Sequence, residues 1–134
     1  MTGERVFADT SGLLALLDAE DHFHASARSE WDEYELNQNE LWMSDYVRLE
    51  VWSLVLKRLG TTAAGDLHDH IFPICQVHIV GESGFEAAVG KWRIARRRQL
   101  SLVDITGFDC MRRLEIQKAF AFDKHFREEG FQTP

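Results

Sequence analysis

Two aspartates in this sequence each stand directly behind a short apolar run. Asp9 follows "VFA" at residues 6–8, and Asp123 follows "AFAF" at residues 119–122. Both runs have the length and composition of buried strands, and the carboxyl ends of parallel strands meet at one edge of a sheet. We therefore expect the two carboxylates at the same rim. Taken singly, each aspartate also suits a turn or a helix cap.

Two further acids could join them. Glu50 lies within a predicted helix, on the same face as Val47, Val51 and Leu54. A carboxylate in an apolar stripe is costly unless it is paired, protonated or bound to a metal, although a surface glutamate remains an alternative. Asp104 follows "LSLV" and begins another predicted helix, which it could simply cap.

Carboxylates gathered at one edge repel one another, so either their pKa values rise or a cation neutralises them. Oxygen ligands without a Cys/His set favour Mg²⁺ or Mn²⁺ over Zn²⁺. Such a cation lowers the pKa of a bound water and stabilises the charge that builds on a phosphate oxygen. The residues therefore predict metal-dependent hydrolysis of phosphodiester bonds. The predicted ligands are Asp9, Glu50, Asp104 and Asp123.

The elements that must position these acids are short strands alternating with helices, which is typical of a parallel sheet with helices on both faces. A helix follows Asp9, with Thr10 or Ser11 as its predicted cap, and a stronger one runs from Ser44 to Gly60. Strands are also predicted at 77–80 and, at the sheet edge, at 131–133. Since no repeat or linker interrupts the pattern, residues 1–134 are predicted to form a single domain.

Composition bounds the class of protein. Hydrophobic residues make up 45% of the 134, enough for a core without disulfides. Cys75 and Cys110 lie in apolar surroundings and are expected to be reduced core residues. With no secretory leader and no apolar run of about 18 residues, we expect a soluble cytoplasmic protein with no membrane contact.

The net charge of -7 argues against a general nucleic-acid binder, but the charge is unevenly distributed. A basic run ends a helix predicted over residues 83–99. Its arginines could follow an RNA backbone, or could be a solvated helix end that the helix dipole favours. They are Arg93, Arg96, Arg97 and Arg98.

Four stretches together resemble the PIN-domain ribonucleases, especially the VapC-type toxins of bacterial toxin–antitoxin pairs. They are "FADTSGLLALLDAEDHFHASA", "SDYVRLEVWSLV", "LSLVDITGFDCMR" and "AFAFDKHFREEGF". The resemblance runs through the whole chain in the expected order. It implies a three-layer α/β/α sandwich, with a parallel sheet of about five strands in the order 3-2-1-4-5. It also implies Mg²⁺ or Mn²⁺ in an acidic pocket.

By motif match, the resemblance assigns that acidic pocket to Asp9, Glu50, Asp104 and Asp123. It implies assisting hydroxyls at Thr10 or Ser11 and at Thr106. It further implies a homodimer, for which the apolar face of Trp52, Leu56 and Leu59 could serve, and often a cognate antitoxin that covers the pocket.

The function expected is thus a metal-dependent endoribonuclease that hydrolyses RNA, the toxin of a type II toxin–antitoxin pair. Two alternatives stay open within the family. One is a catalytically weak PIN-like module that binds RNA or protein, and the other is a solitary nuclease with no antitoxin. A phosphatase or a DNA nuclease on a related fold is a third possibility.

Overall fold

A four-stranded parallel sheet forms the centre of the protein in a computed structural model, which describes residues 3–134. The strand order is β3-β2-β1-β4, so the first strand lies inside the sheet. Residues Val6–Ala8 of that strand are fully buried, as its apolar sequence predicts. The strands are β1 (Arg5–Ala8), β2 (Glu40–Ser44), β3 (Cys75–His78) and β4 (Lys118–Phe120).

Helices flank this sheet, and the predicted α/β sandwich is confirmed. A π-helical turn at Leu67–Ile71 and a 3₁₀ turn at Phe72–Ile74 follow the fourth helix, where Pro73 ends the helical region. The helices are α1 (Thr10–Leu17), α2 (His24–Leu36), α3 (Asp45–Leu59), α4 (Thr61–Asp66), α5 (Gly81–Ala95), α6 (Leu102–Arg113) and α7 (Lys124–Glu128).

The sheet has four strands where about five were expected. In place of a fifth strand, Gln132 makes a single parallel bridge to Lys118 beside β4. The backbone of Gly130 is left-handed (φ +93°), and the ring of Phe131 turns inward against Phe108 and Phe126. Past this turn, the one residue within the described range 3–134 that bridges to β4 is Gln132. The order of the four strands present agrees with the expected order.

Two predicted boundaries move. The third strand occupies Cys75–His78 rather than 77–80, because Gly81 takes a left-handed conformation (φ +72°) and the next helix begins there. That helix ends at Ala95 instead of reaching residue 99, since Arg96 is also left-handed (φ +48°) and stops it. The boundaries of α3 agree with the sequence: the Ser44 hydroxyl caps its start, and Gly60 (φ +96°) ends it.

Helix α1 packs closely against β4 at Gly12. A Cβ placed on Gly12 would lie 2.1 Å from the carbonyl oxygen of Phe120, so only glycine allows this approach.

Both cysteines are buried free thiols, as predicted, and burial raises the pKa of each to about 12. No helix among residues 3–134 is long and apolar enough to cross a membrane.

Candidate active site

Asp9 lies where β1 ends and α1 begins, and it caps that helix itself. Its carboxylate accepts hydrogen bonds from the Ser11 backbone N–H (3.2 Å) and from the Ser11 hydroxyl (2.7 Å). The prediction that Thr10 or Ser11 caps α1 is therefore wrong, because Asp9 already holds the extended backbone of an N-cap residue. The side chain is almost completely buried, with 4% exposure.

Asp104 lies in the first turn of α6, three residues after the helix cap. The cap is Ser101, whose hydroxyl accepts from the Asp104 backbone N–H (3.2 Å) while the Asp104 carboxylate accepts from the Ser101 backbone N–H (3.2 Å). This reciprocal capping box satisfies two N–H groups and fixes the carboxylate. Ser101 was not among the predicted site residues, although the S-x-x-D spacing in "SLVD" is the signal of such a capping box.

Asp123 caps α7, three residues beyond the end of β4, and its carboxylate accepts from the His125 backbone N–H (2.9 Å). Since β4 is parallel to β1 and adjacent to it, Asp123 and Asp9 lie at the same edge of the sheet. The Ser11 hydroxyl joins the two: it donates to Asp9 and accepts from the Phe122 backbone N–H at 3.0 Å. Ser11 is thus a bridge rather than a cap.

Electrostatic coupling connects the three aspartates. Burial raises the pKa of Asp9 to about 7, with a smaller upward contribution from the charge of Asp104, against the lowering effect of the Ser11 hydrogen bond. The pKa of Asp104 is also raised, first by burial and then by the charge of Asp123, while the hydrogen bonds from Ser101 lower it. Asp104 is therefore the central member of an acidic edge formed by Asp9, Asp104 and Asp123.

Glu50 occupies a different position. The buried stripe of α3 consists of Val47, Val51 and Val55, and Glu50 flanks this stripe as a half-buried side chain. Among residues 3–134 it makes no side-chain hydrogen bond and no ion pair. The structure thus places three of the four predicted acids at helix starts, and Glu50 within α3 beside its buried stripe.

The two threonines predicted to assist differ from each other. Thr10 is buried, and its hydroxyl has no hydrogen-bond partner in the described part of the chain. Thr106 is buried as well, but its hydroxyl donates to the carbonyl oxygens of Leu102 (2.6 Å) and Val103 (3.1 Å) within α6. Only Thr10 therefore has an uncommitted hydroxyl beside the acidic edge.

His125 is a buried neighbour of the acidic edge, with 5% exposure. Its Nε2 lies 3.6 Å from an Asp123 carboxylate oxygen, and its Nδ1 lies 3.4 Å from a carboxylate oxygen of Glu128. The same Glu128 oxygen lies 3.6 Å from the guanidinium of Arg97. One arginine of the basic run therefore reaches the helix that Asp123 caps.

The other arginines of the run point into solvent. Arg93 lies in the last turn of α5, and Arg96 and Arg98 lie in the non-helical segment that leads to α6. These three form no ion pair with any residue of the described range 3–134. They are available to an anionic ligand, whereas Arg97 is partly neutralised.

The donor set of the acidic edge fits a hard divalent cation. Its oxygens are those that Mg²⁺ and Mn²⁺ prefer, burial raises the pKa values of Asp9 and Asp104, and the Thr10 hydroxyl has no partner among residues 3–134. In the range 3–134, no three acidic, His or Cys side chains are close enough to hold an ion unaided. This arrangement suits Mg²⁺, which usually keeps several waters and takes one or two carboxylates.

Comparison with known proteins identifies the family of the chain. Residues 6–131 match the model of the PIN domain. The chain is 32% identical over 129 residues to the 23S rRNA-specific endonuclease VapC20 of Mycobacterium tuberculosis. This alignment covers 94% of this chain and 95% of the relative. The crystal structure of M. tuberculosis VapC20, described as a Sarcin-Ricin loop cleaving toxin, superposes with a TM-score of 0.81 over the same shares of both chains. The chain belongs to the PIN-domain family.

Proposed function

We propose that the protein is an endoribonuclease that depends on Mg²⁺ or Mn²⁺ and acts as the toxin of a toxin–antitoxin pair. The observation that carries this proposal is the acidic edge, in which three aspartates are fixed at the starts of three helices and two have raised pKa values. The positive ends of the helix dipoles favour anionic groups there. A cation relieves the remaining repulsion between the carboxylates.

Asp9, Asp104 and Asp123 would hold the cation, directly or through its bound waters, with Glu50 as a fourth acid reached from α3. When bound, the cation supplies an activated water and stabilises the charge on the phosphate. Asp9 must give up its proton to ligate, because its pKa lies near 7 in the metal-free protein. Ser11 holds one Asp9 oxygen and so leaves the other to face the cation. Thr10, with its uncommitted hydroxyl, would bind a water or phosphate oxygen.

RNA is the proposed substrate for two reasons. The M. tuberculosis relative is named as an endonuclease specific for 23S rRNA. In this chain, Arg93 at the end of α5 and Arg96 and Arg98 just after it are exposed. Their neighbour Arg97 contacts Glu128 of α7, the helix that Asp123 caps. The three exposed arginines are therefore suited to hold the phosphates that flank the cleaved bond.

A homodimer is proposed through the outer face of α3. Leu49, Trp52 and Leu56 are 68%, 36% and 37% exposed, which is unusual for three large apolar side chains on one helix. The apolar face predicted from Trp52, Leu56 and Leu59 is thus partly open to solvent. Size-exclusion chromatography with light scattering should give twice the monomer mass, and Trp52→Glu should halve it.

A catalytically weak binding module is the second candidate. The observation that favours it is the absence, within residues 3–134, of three metal-ligating side chains in one preformed group. Titration calorimetry with Mn²⁺ separates the two candidates. Heat of binding that disappears in Asp104→Asn supports the nuclease, and no heat in the unmodified protein supports the module.

The decisive experiment is RNA cleavage by the purified protein with Mg²⁺ or Mn²⁺. Cleavage should require the metal and should be lost in Asp9→Asn and in Asp104→Asn, with circular dichroism unchanged. Asp32→Asn, which removes an exposed carboxylate from α2, is the matched control and should cleave normally. Full cleavage by both Asp9→Asn and Asp104→Asn would reject the proposed nuclease function. A small DNA-binding protein encoded immediately upstream would support an antitoxin.

A further inference from the structure

We propose that a cavity between α5 and α6 binds a nucleotide of the RNA substrate next to the bond that is cleaved. The cavity has a volume of about 400 Å³, within the size range of small-ligand sites in proteins. None of the three aspartates of the acidic edge lines it. The inference rests on the proposed function in one respect, which is that the occupant belongs to an RNA chain.

The position of the cavity connects it to the acidic edge. Thr106, two residues after Asp104 on α6, lines the cavity, and Arg113 lines its far end. With a rise of 1.5 Å per residue, this wall extends from about 3 to about 14 Å beyond Asp104 along the helix axis. A strand of RNA whose scissile phosphate lies at Asp104 can therefore place an adjacent nucleotide in the cavity.

The charge of the cavity suits a phosphate. Lys91, Arg112 and Arg113 contribute three positive charges, and Asp109 is the single acid in the lining. Lys91 is ion-paired with Asp109, and Arg112 is held by Glu129 at 2.6 Å. Arg113, by contrast, has no ion pair to any residue between 3 and 134. Within residues 3–134, Arg113 is thus the cation of the lining that is free to bind a phosphate.

The other walls suit a base. Ile79, which is 61% exposed, lines the cavity together with Val80, Ala87 and His78. Single-stranded RNA bases stack on aromatic rings, including that of histidine, and the aliphatic residues of the lining add apolar surface. A phosphate group alone would leave this surface empty, so the combination of apolar wall and cations indicates a whole nucleotide.

The test separates nucleotide binding from cleavage. Ribonucleoside 5′-monophosphates are titrated into metal-free protein carrying Asp104→Asn and followed by NMR chemical shifts, with inorganic phosphate as a parallel titration. We expect monophosphates to shift the resonances of Ser83, Lys91 and Arg113. Inorganic phosphate should bind more weakly. Phosphate binding as tightly as every monophosphate would overturn the proposal.

Two variants probe the cavity by different routes. Arg113→Gln removes the unpaired cation, and Ala87→Trp fills the cavity while keeping every charge. Either one should abolish monophosphate binding and, in the otherwise unmodified enzyme, raise KM for RNA about tenfold with kcat unchanged. Arg28→Gln, which removes an equally exposed charge on α2, should change neither. Unchanged KM in both cavity variants would overturn the proposal.

Failure of the proposed function would look different. If the unmodified protein cleaves no RNA with either metal but binds monophosphates in this cavity, the nuclease assignment falls and the nucleotide site stands. If RNA is cleaved and monophosphates do not bind, only the inference in this subsection falls.

Discussion

The acidic edge and the basic α5–α6 region hold their charges in opposite ways. In the acidic edge, short side chains are anchored by backbone N–H groups: Asp9 and Asp123 are helix caps, and Asp104 belongs to a capping box. In the basic region, long side chains such as Lys91 and Arg112 reach over the surface and pair with other exposed groups. The same protein therefore contains one rigid charged region and one adaptable one.

This difference matches what each region is proposed to do. Groups that stabilise a transition state must be held in place before the substrate arrives, because reorganisation during the reaction costs energy. Groups that attract a polyanion need only charge and reach, and they gain from flexibility when the ligand varies. Changes to the aspartates of the acidic edge should therefore alter the chemical step, and changes in the basic region should alter binding and its salt dependence.

The largest effect is expected at the acidic edge. Asp9→Asn and Asp104→Asn should each lower kcat about 10²- to 10³-fold, the usual cost of removing one preorganised electrostatic group from an active site. Arg98→Gln in the basic segment should change kcat less than threefold, since it touches no reacting atom in this assignment. Steady-state kinetics on a labelled RNA measures both. A larger loss in Arg98→Gln than in Asp9→Asn would reverse the comparison.

The second effect concerns packing. Gly12→Ala places a methyl group 2.1 Å from the Phe120 carbonyl, so it should lower the free energy of unfolding by roughly 3 kcal/mol. The matched change in the basic region is Gly90→Ala in α5, where a Cβ meets nothing within 4 Å. It should raise the free energy of unfolding by about 0.5–1 kcal/mol, because alanine favours a helix over glycine.

Urea denaturation followed by circular dichroism gives both values. Equal destabilisation by Gly12→Ala and Gly90→Ala would show that the acidic edge is no more tightly packed than the basic region.

The third effect is a pH dependence of metal binding. Because the pKa of Asp9 is raised to about 7, the carboxyl is protonated below that pH and must lose its proton to bind a cation. The apparent Mn²⁺ affinity should fall about tenfold per pH unit well below pH 7 and should level off above pH 8. Calorimetry across pH 5.5–8.5 measures it. A Mn²⁺ affinity that does not change with pH would contradict the raised pKa of Asp9.

The same carboxyl should affect the stability of the metal-free protein. A raised pKa means that the folded state holds a proton which the unfolded state has released, so stability falls as pH rises from about 4 to above 7. Asp9→Asn carries no such proton, and its Tm should exceed that of the unmodified protein at pH 8 more than at pH 5. Thermal unfolding at the two pH values would expose the opposite trend.

The smallest effect belongs to the arginines. Arg93, Arg96 and Arg98 are exposed and free of ion pairs to residues 3–134, so each can release counterions from one phosphate. Arg98→Gln should lower the slope of log K against log salt concentration by about 0.7 for single-stranded RNA. Fluorescence anisotropy at several KCl concentrations measures the slope on Asp104→Asn protein. A salt slope that is unchanged by Arg98→Gln would show that the RNA does not contact Arg98.

The strand-and-helix order of the protein could be predicted because its signals are local. The apolar run before Asp9 predicts β1, and Ser44 and Gly60 predict both ends of α3, since caps and hydrophobic runs act on their immediate neighbours. The missing fifth strand could not be predicted. It depends on Phe131 turning inward to contact Phe108 and Phe126, and these residues meet only in the folded state.

The residues of the candidate site also fall into those whose position the sequence predicts and those whose role depends on the fold. The position of Asp9 and Asp123 behind apolar runs was visible in the sequence, as was the S-x-x-D signal of Ser101 that the sequence analysis overlooked. The role of Ser11 was not, because its hydroxyl joins Asp9 to the Phe122 backbone across 111 residues of chain. The assignments of Glu50 and Thr106 remain predictions, with Glu50 on the flank of α3 and the Thr106 hydroxyl bonded within α6.

By itself, the sequence determined which residues carry charge and the order of the strands and helices, because hydrophobic period and capping chemistry are read over a few residues. Only the tertiary structure decided that burial would raise the pKa of Asp9 to about 7 and that Asp104 would lie between two other aspartates. Desolvation and charge coupling depend on distances between parts of the chain that are far apart in sequence, and the packing of α1, α6 and α7 sets those distances.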